Sequence, residues 1–269
     1  MSITLMLATS AAPFFHPEAY AKINDPDNIA MMNMQNSTWT AGYNARFEGL
    51  AYNDVRALFG TELTHIADHM DEVLPDEAYA GIADASIPDS FDATVHWKGL
   101  VHPIRDQQRC GSCWAFSAAE VLGDRVAIAT GKASPVLSPE DLVSCDTKDM
   151  GCQGGRLNTA WSYLKNTGVV TDSCFPYSAG SGQAPTCPTK CKDSESWASS
   201  KQKAKSVYAV NGVANLQKEV RPALPPALPE TRSACSWALA CSPLHSAAPQ
   251  QTAEDPPVIT RRSIRRHRS

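Results

Sequence analysis

Apolar residues Trp114, Phe116, Val121, Leu122, Val126 and Ile128 recur at helical spacing until Gly131, which predicts a helix over about residues 112–130. Two shorter helices are predicted after it. Ser138-Pro139-Glu140-Asp141 reads as a capping box that starts a helix running into Leu142, Val143 and Cys145. Leu157, Ala160, Trp161 and Leu164 mark the apolar face of another helix ending at Gly168, and that face belongs to a core rather than a site. Upstream, residues 14–86 read as mostly helical, with Asn53 placed to cap a short helix ended by Gly60. No run approaches the ~20 apolar residues of a membrane span.

Beyond Val220 the periodicity is lost. Residues 221–269 hold eight of the nineteen prolines, no glycine and one aromatic residue, Trp237. They end in Arg261-Arg262-Ser263-Ile264-Arg265-Arg266-His267-Arg268-Ser269. Such a stretch buries too little apolar surface to offset the ordering of the chain, so a Pro/Arg-rich disordered tail is expected there.

At 269 residues the chain has room for one or two domains, and its net charge of −4 favours no particular partner and gives no reason to expect nucleic acid. The cysteines change the picture more. Seven of the nine, Cys110, Cys113, Cys145, Cys152, Cys174, Cys187 and Cys191, fall in one region, as in a disulfide-stapled protein of an oxidising compartment. Seven is one too many for pairing, so three bridges and one free thiol would account for them. Residues 1–13, with Leu5, Met6 and Leu7 followed by small residues, read as a possible signal segment that lacks a basic start. Asn36-Ser37-Thr38 is a glycosylation sequon, in keeping with secretion.

Cys113 is the candidate for chemistry, because the predicted helix places it in a first turn. There the unpaired N–H groups and the positive end of the helix dipole favour an anion. Cys110-Gly111-Ser112-Cys113 is also a C-x-x-C, which suggests a thioredoxin-like redox pair or half of a zinc site. No second C-x-x-C completes a zinc site.

The longer motif Cys110-Gly111-Ser112-Cys113-Trp114 resembles the signature of the papain and cathepsin family of cysteine peptidases. That resemblance implies an α+β, papain-like fold, with the helical left-hand domain present and the β-rich right-hand domain truncated or replaced by the tail. It makes Cys113 the nucleophile and Gln107 a side-chain donor to the oxyanion, paired with the Cys113 backbone N–H. Gly151-Cys152-Gln153-Gly154-Gly155 resembles the family's Gly-Cys-x-Gly-Gly, in which Gly154 and Gly155 hold a substrate backbone in an extended pose. Arg156, where relatives often have an aromatic residue, suggests altered selectivity. The resemblance implies no cofactor and no metal, protein or peptide substrates, and a secreted or lysosome/vacuole-like location.

Cys174-Phe175-Pro176-Tyr177-Ser178 and Cys187-Pro188-Thr189-Lys190-Cys191 resemble the cathepsin B branch. By that resemblance Cys110 pairs with Cys152, Cys145 with Cys187 and Cys174 with Cys191. Sequence alone allows fifteen connectivities for six cysteines. The branch carries an occluding loop with paired histidines between these motifs. Residues 178–186 hold no histidine or cysteine here, which implies internal cutting without carboxydipeptidase activity.

Trp39-Thr40-Ala41-Gly42 resembles the short pro-region of cathepsin B-like enzymes, so residues 14–86 are expected to be a propeptide that inhibits its own cleft. An ordinary helical subdomain is the alternative. Ile87-Pro88-Asp89-Ser90-Phe91-Asp92 resembles a mature start, which places processing at residues 85–87 and the peptidase domain at 87–220.

The family's base histidine and its orienting asparagine are expected ~130–150 residues beyond the nucleophile. His245 lies at that distance but in Ser242-Pro243-Leu244-His245-Ser246, unlike the family's Gly-Gly-His-Ala, and no asparagine follows Asn215. His96 and His102 precede the nucleophile, His65 and His69 fall in the pro-region, and His267 lies in the basic end. The expectation is a cysteine-type endopeptidase by family that is inactive as written. The alternative is a non-catalytic binding or inhibitory protein.

Overall fold

The computed structural model describes residues 21–34, 39–62, 72–193, 195–220 and the backbone of 232–234. In chain order its elements are α1 (Pro26–Met34), α2 (Tyr52–Val55), β1 (Thr61–Glu62), β2 (Val73–Leu74), α3 (Ala93–His96), α4 (Cys113–Thr130), α5 (Pro139–Cys145), β3 (Gly155–Arg156), α6 (Leu157–Asn166), β4 (Ser206–Val210), α7 (Val213–Val220) and β5 (Arg232–Ala234), with 3-10 turns between several of them. The signal-like segment, the sequon, His65, His69, His245 and His267 lie outside the described residues.

Among its described residues, the stretch before Ile87 is less helical than its sequence suggests. Its amide side chains satisfy the backbone directly and so compete with helix. Asn24 donates to the Asn44 carbonyl at 2.7 Å and accepts the Asn44 N–H at 2.9 Å, and Asn33 makes the same reciprocal pair with Ala41. The cap of α2 is also displaced. Ala51, not Asn53, precedes the helix; it has no side-chain acceptor, and the Asp54 carboxylate takes its N–H at 2.7 Å instead. The helix tightens into a 3-10 turn at Arg56–Leu58, which leaves Gly60 beyond its end.

In the spans of the three helices between Ser112 and Gly168 the prediction and the fold agree closely. Ser112 precedes α4 and Gly131 ends it in the left-handed conformation, φ 64°. The helix is lined by Trp114, Ala115, Ala118, Ala119 and Leu122, all buried, because α5 and α6 pack across it. Leu142 and Val143 from α5, with Leu157, Ala160, Trp161 and Leu164 from α6, complete this core. Ser138 caps α5 by accepting the Asp141 N–H at 3.2 Å. The box is only half built, since the Asp141 carboxylate turns inward to Val170 N–H, the Tyr163 hydroxyl and the Lys201 ammonium.

Two small parallel sheets join the stretch before Ile87 to the rest. β1 pairs with β3, and β2 pairs with β4, whose other neighbour is β5. The backbone of Arg232–Ala234 therefore lies in a strand, which departs from a tail disordered throughout; an unpaired edge of β4 offers donors and acceptors that a passing segment satisfies. Among the described residues no helix is long and apolar enough to cross a membrane.

Candidate active site

Cys113 opens α4, and its free thiol is partly exposed. In the first turn the Ala115 and Phe116 N–H groups donate to the Ser112 carbonyl, at 2.9 and 3.0 Å. The residue after Cys113 anchors the site from below. Trp114 is fully buried, and its indole N–H donates to the Gly151 carbonyl at 3.1 Å.

Gln107 reaches the same place from the loop before the helix. Its side chain is buried, and the amide nitrogen donates to the carbonyls of Cys110 at 2.7 Å and Leu58 at 2.9 Å. Tyr177 holds this loop: its hydroxyl donates to the Gln107 carbonyl at 2.8 Å and lies 2.9 Å from the Ser112 hydroxyl. Burial pushes the Tyr177 phenol up to about 12, so it stays a donor throughout the physiological range. Its ring and that of Phe116 meet edge to face, and the Arg105 guanidinium lies over the Phe116 ring, 5.3 Å from its centre. Sequence reading missed Tyr177 as a positioning residue, although it named the motif that contains it.

Gly154 and Gly155 lie against Gly60 and Trp114, the neighbours of Thr61 and Cys113. A Cβ on Gly155 would lie 2.5 Å from the Trp114 ring, and Gly154 has φ 121°, a conformation that side chains rarely adopt. The loop is closed by the Cys110–Cys152 disulfide and by the Gly111 N–H donating to the Cys152 carbonyl at 2.9 Å. Cys145 is joined to Cys187 and Cys174 to Cys191, which leaves Cys113 free. With Cys110 bridged to Cys152, a Cys110/Cys113 redox pair has no second thiol. The sulfurs of Cys174 and Cys191 approach the Asp193 carboxylate, but as a disulfide they offer no thiolate for a metal.

The chain's own residues 58–62 lie along this constellation. Leu58 gives its carbonyl to Gln107, Gly60 gives its carbonyl to the Gly155 N–H at 2.8 Å, and the Thr61 hydroxyl stands 3.0 Å from the Cys113 sulfur. In register, Thr61 faces Gly155 and Glu62 faces Arg156, whose guanidinium is 3.9 Å from the Glu62 carboxylate. A second tie lies just outside. Arg46 donates two hydrogen bonds to the Asp106 carboxylate, at 3.2 and 3.0 Å. Burial of Asp106 opposes its ionisation, but Arg46 and the Gln108 N–H outweigh that and hold its carboxyl below the ordinary carboxylate range.

Among the described residues no imidazole is hydrogen-bonded to Cys113. His102 Nδ1 lies 2.6 Å from Asp124 and Nε2 lies 2.9 Å from the Ser134 carbonyl, while His96 packs in a cluster with Phe91 and Trp97, edge-on to Trp97. Both are committed elsewhere.

Comparison with known proteins shows the family. Residues 87–229 match the model of the papain family of cysteine proteases. A human protein described as tubulointerstitial nephritis antigen-like is 39% identical over 171 residues, covering 61% of this chain and 36% of that protein. Cathepsin B-like CP2 of Giardia intestinalis is 39% identical over 163 residues, covering 60% of this chain and 53% of that protein. The chain thus spans between about a third and about half of the length of these relatives. The solved structure of proCathepsin B S9 from Trypanosoma congolense shares the fold, with a TM-score of 0.57 at 24% identity over 69% of this chain and 64% of that one. Family match, relatives and fold agree: the chain belongs to the papain family of cysteine proteases, with cathepsin B-like relatives.

Proposed function

We propose that this chain is the latent form of a peptide-binding, cysteine-peptidase module. Cys113 is its nucleophile, Gln107 and the Cys113 N–H stabilise the oxyanion, and Gly154 and Gly155 clamp the substrate backbone. Residues 14–86 act as a propeptide, with cleavage at residues 85–87. One observation carries the reading: residues 58–62 occupy the Gln107 amide, the Gly155 N–H and the Cys113 thiol together, as an extended peptide would.

The chemistry of such a site is acyl transfer. The thiolate attacks a peptide carbonyl carbon, a C–S bond forms, and the charge on the carbonyl oxygen rests on the two N–H donors. The C–N bond then breaks and the amine leaves with a proton, after which water cleaves the thioester. A base must take and return that proton. No imidazole touches Cys113 among the described residues, so we propose that this chain by itself binds peptides without turning them over. Three bridges around one free thiol among the described residues favour an oxidising, secreted or lysosome-like location. The short stretch at residues 178–186 favours internal cutting by any competent form.

The test pairs two assays on chain cut within residues 63–71 and at residues 85–87 and freed of the upstream fragment: labelling of Cys113 by a peptidyl electrophile, and hydrolysis of a fluorogenic peptide. Labelling without hydrolysis is expected. Hydrolysis would reject the inactivity and nominate His245, which H245A would then decide. No labelling would favour the second reading, a non-catalytic binding or inhibitory protein.

A further inference from the structure

Residues 72–86 are held by a different kind of contact from residues 44–62. β2 lies parallel to β4, with Val73 opposite Ala209 and Leu74 opposite Val210, and the Ala209 N–H donates to the Glu72 carbonyl at 2.9 Å. Leu74 and Tyr79 are buried against Tyr208 and Val210, with Ala78 and Ile82 at the margin, in an apolar cluster separate from the main core. That is interior packing, and it closes a face of β4 that would otherwise be open to water.

Beneath this cluster lies Glu219, 2% exposed. One of its carboxylate oxygens accepts the Tyr79 hydroxyl at 2.8 Å, and the other accepts the Tyr208 hydroxyl at 2.8 Å and the Arg125 guanidinium at 3.2 Å. Removing Tyr79 leaves a buried carboxylate oxygen without this donor, which is costly. The edges are tied as well. Lys218 meets Asp84 at 2.6 Å, and the Asn215 amide donates to Asp76 at 2.7 Å.

The ion pairs of the upstream half are open on both sides, whereas in the strap's Lys218–Asp84 pair Lys218 is 9% and Asp84 78% exposed. The Arg46–Asp106 pair has side chains 30% and 37% exposed, and the Glu62–Arg156 pair 54% and 47%. Exposed pairs of this kind contribute little each.

We propose that the stretch before Ile87 has two separable parts: residues 44–62 are an occupant of the cleft that is released once the chain is cut both within residues 63–71 and at residues 85–87, and residues 72–86 are a structural strap that stays on β4 and α7 after those cuts. The strap's partner surface is Tyr208, Val210, Lys218 and Glu219, and the mature protein is then a two-chain assembly. This does not depend on the chemistry of Cys113.

The test uses the full chain, folded intact, with one engineered protease site among residues 63–71 and another between Ser86 and Ile87. After both cuts, native size exclusion at sub-micromolar concentration followed by mass spectrometry identifies what remains together. The expected result is that the fragment containing residues 72–86 co-elutes with the body while the upstream fragment leaves. Loss of the strap fragment overturns the proposal, and so does retention of both. Tyr79→Phe keeps the ring and removes only the donor, so in the cut protein it should speed loss of the strap several-fold; an unchanged rate overturns the role given to Glu219.

Discussion

The Thr61 hydroxyl lies 3.0 Å from the Cys113 sulfur, although the two residues are 52 positions apart in the chain. The approach depends on glycine at the preceding position. A Cβ on Gly60 would stand 1.8 Å from the Gly111 carbonyl oxygen, where nothing can yield but backbone. Gly111 is held in turn by the Cys152 carbonyl and the Cys110–Cys152 bridge, so residues 58–62 must move instead.

Gly60→Ala should therefore lift residues 58–62 from the cleft without disturbing the main core. Alkylation of Cys113 by iodoacetamide under native conditions should run several-fold faster than in the parent, with the unfolding midpoint little changed. Equal alkylation rates would show that the stretch does not shield the thiol.

Gln107 gives one amide group to two carbonyls, one of them from the occupying stretch. Once that stretch is removed, the same N–H is free to meet an oxyanion. A peptide aldehyde adds to Cys113 and forms such a charge without needing a leaving group. Gln107→Ala should weaken the aldehyde by roughly a hundredfold, the usual effect of losing one donor. Comparable affinity in both proteins would remove Gln107 from the role.

Glu140 is fully buried at the start of α5, and its carboxylate accepts the Ala179 N–H at 2.9 Å, the Ser178 N–H and the Ser144 hydroxyl. Those backbone groups adjoin Tyr177, which positions Gln107. Glu140→Ala strands them in the interior and should cost roughly 2–4 kcal/mol in denaturant unfolding. Glu140→Gln keeps the shape and should cost less. A loss below about 0.5 kcal/mol in the alanine variant would mean that water replaces the carboxylate.

The span of α4 was legible from residues 113–131 because its apolar periodicity and its terminal glycine act locally, and both point to one answer. Motifs of adjacent residues mark Cys113, Gln107, Gly154 and Gly155 as candidates, and residues 58–62 lie against them. That contact was not legible. The register of Thr61 on Gly155 is a contact between segments far apart in sequence, and two-residue strands carry no alternation to read. The same holds for Tyr79 on Glu219, where an ordinary tyrosine in a polar stretch becomes the most buried residue of its segment. Asn53 misled because local capping preference was outvoted by Asp54 reaching back to Ala51.

Three titrating groups point to greater stability in mild acid. Burial raises Glu120 to about 7, with Asp124 adding to it and Arg105 and His102 opposing, and its Oε1 has no hydrogen-bond partner among the described residues. Burial likewise raises Asp146 from 3.8 to about 6, helped by Asp149 and opposed by the Lys148 N–H. For both, the folded chain holds a proton that the unfolded chain has already released. Between about pH 4 and 7 the folded state therefore binds more protons, and stability falls as pH rises through that window. His102 acts in the same direction. Burial opposes its charge, but the Ser134 carbonyl and Asp124 outweigh that and raise its pKa, so its contribution is present in acid and lost as pH rises through the raised value. Asp106, held low, works the other way, and only below the ordinary carboxylate range. Urea unfolding from pH 4.5 to 7.5 should show a falling midpoint, and the double variant Glu120→Gln, Asp146→Asn should flatten the fall. A midpoint that rises over this range would mean that neither carboxyl is held protonated in the folded chain.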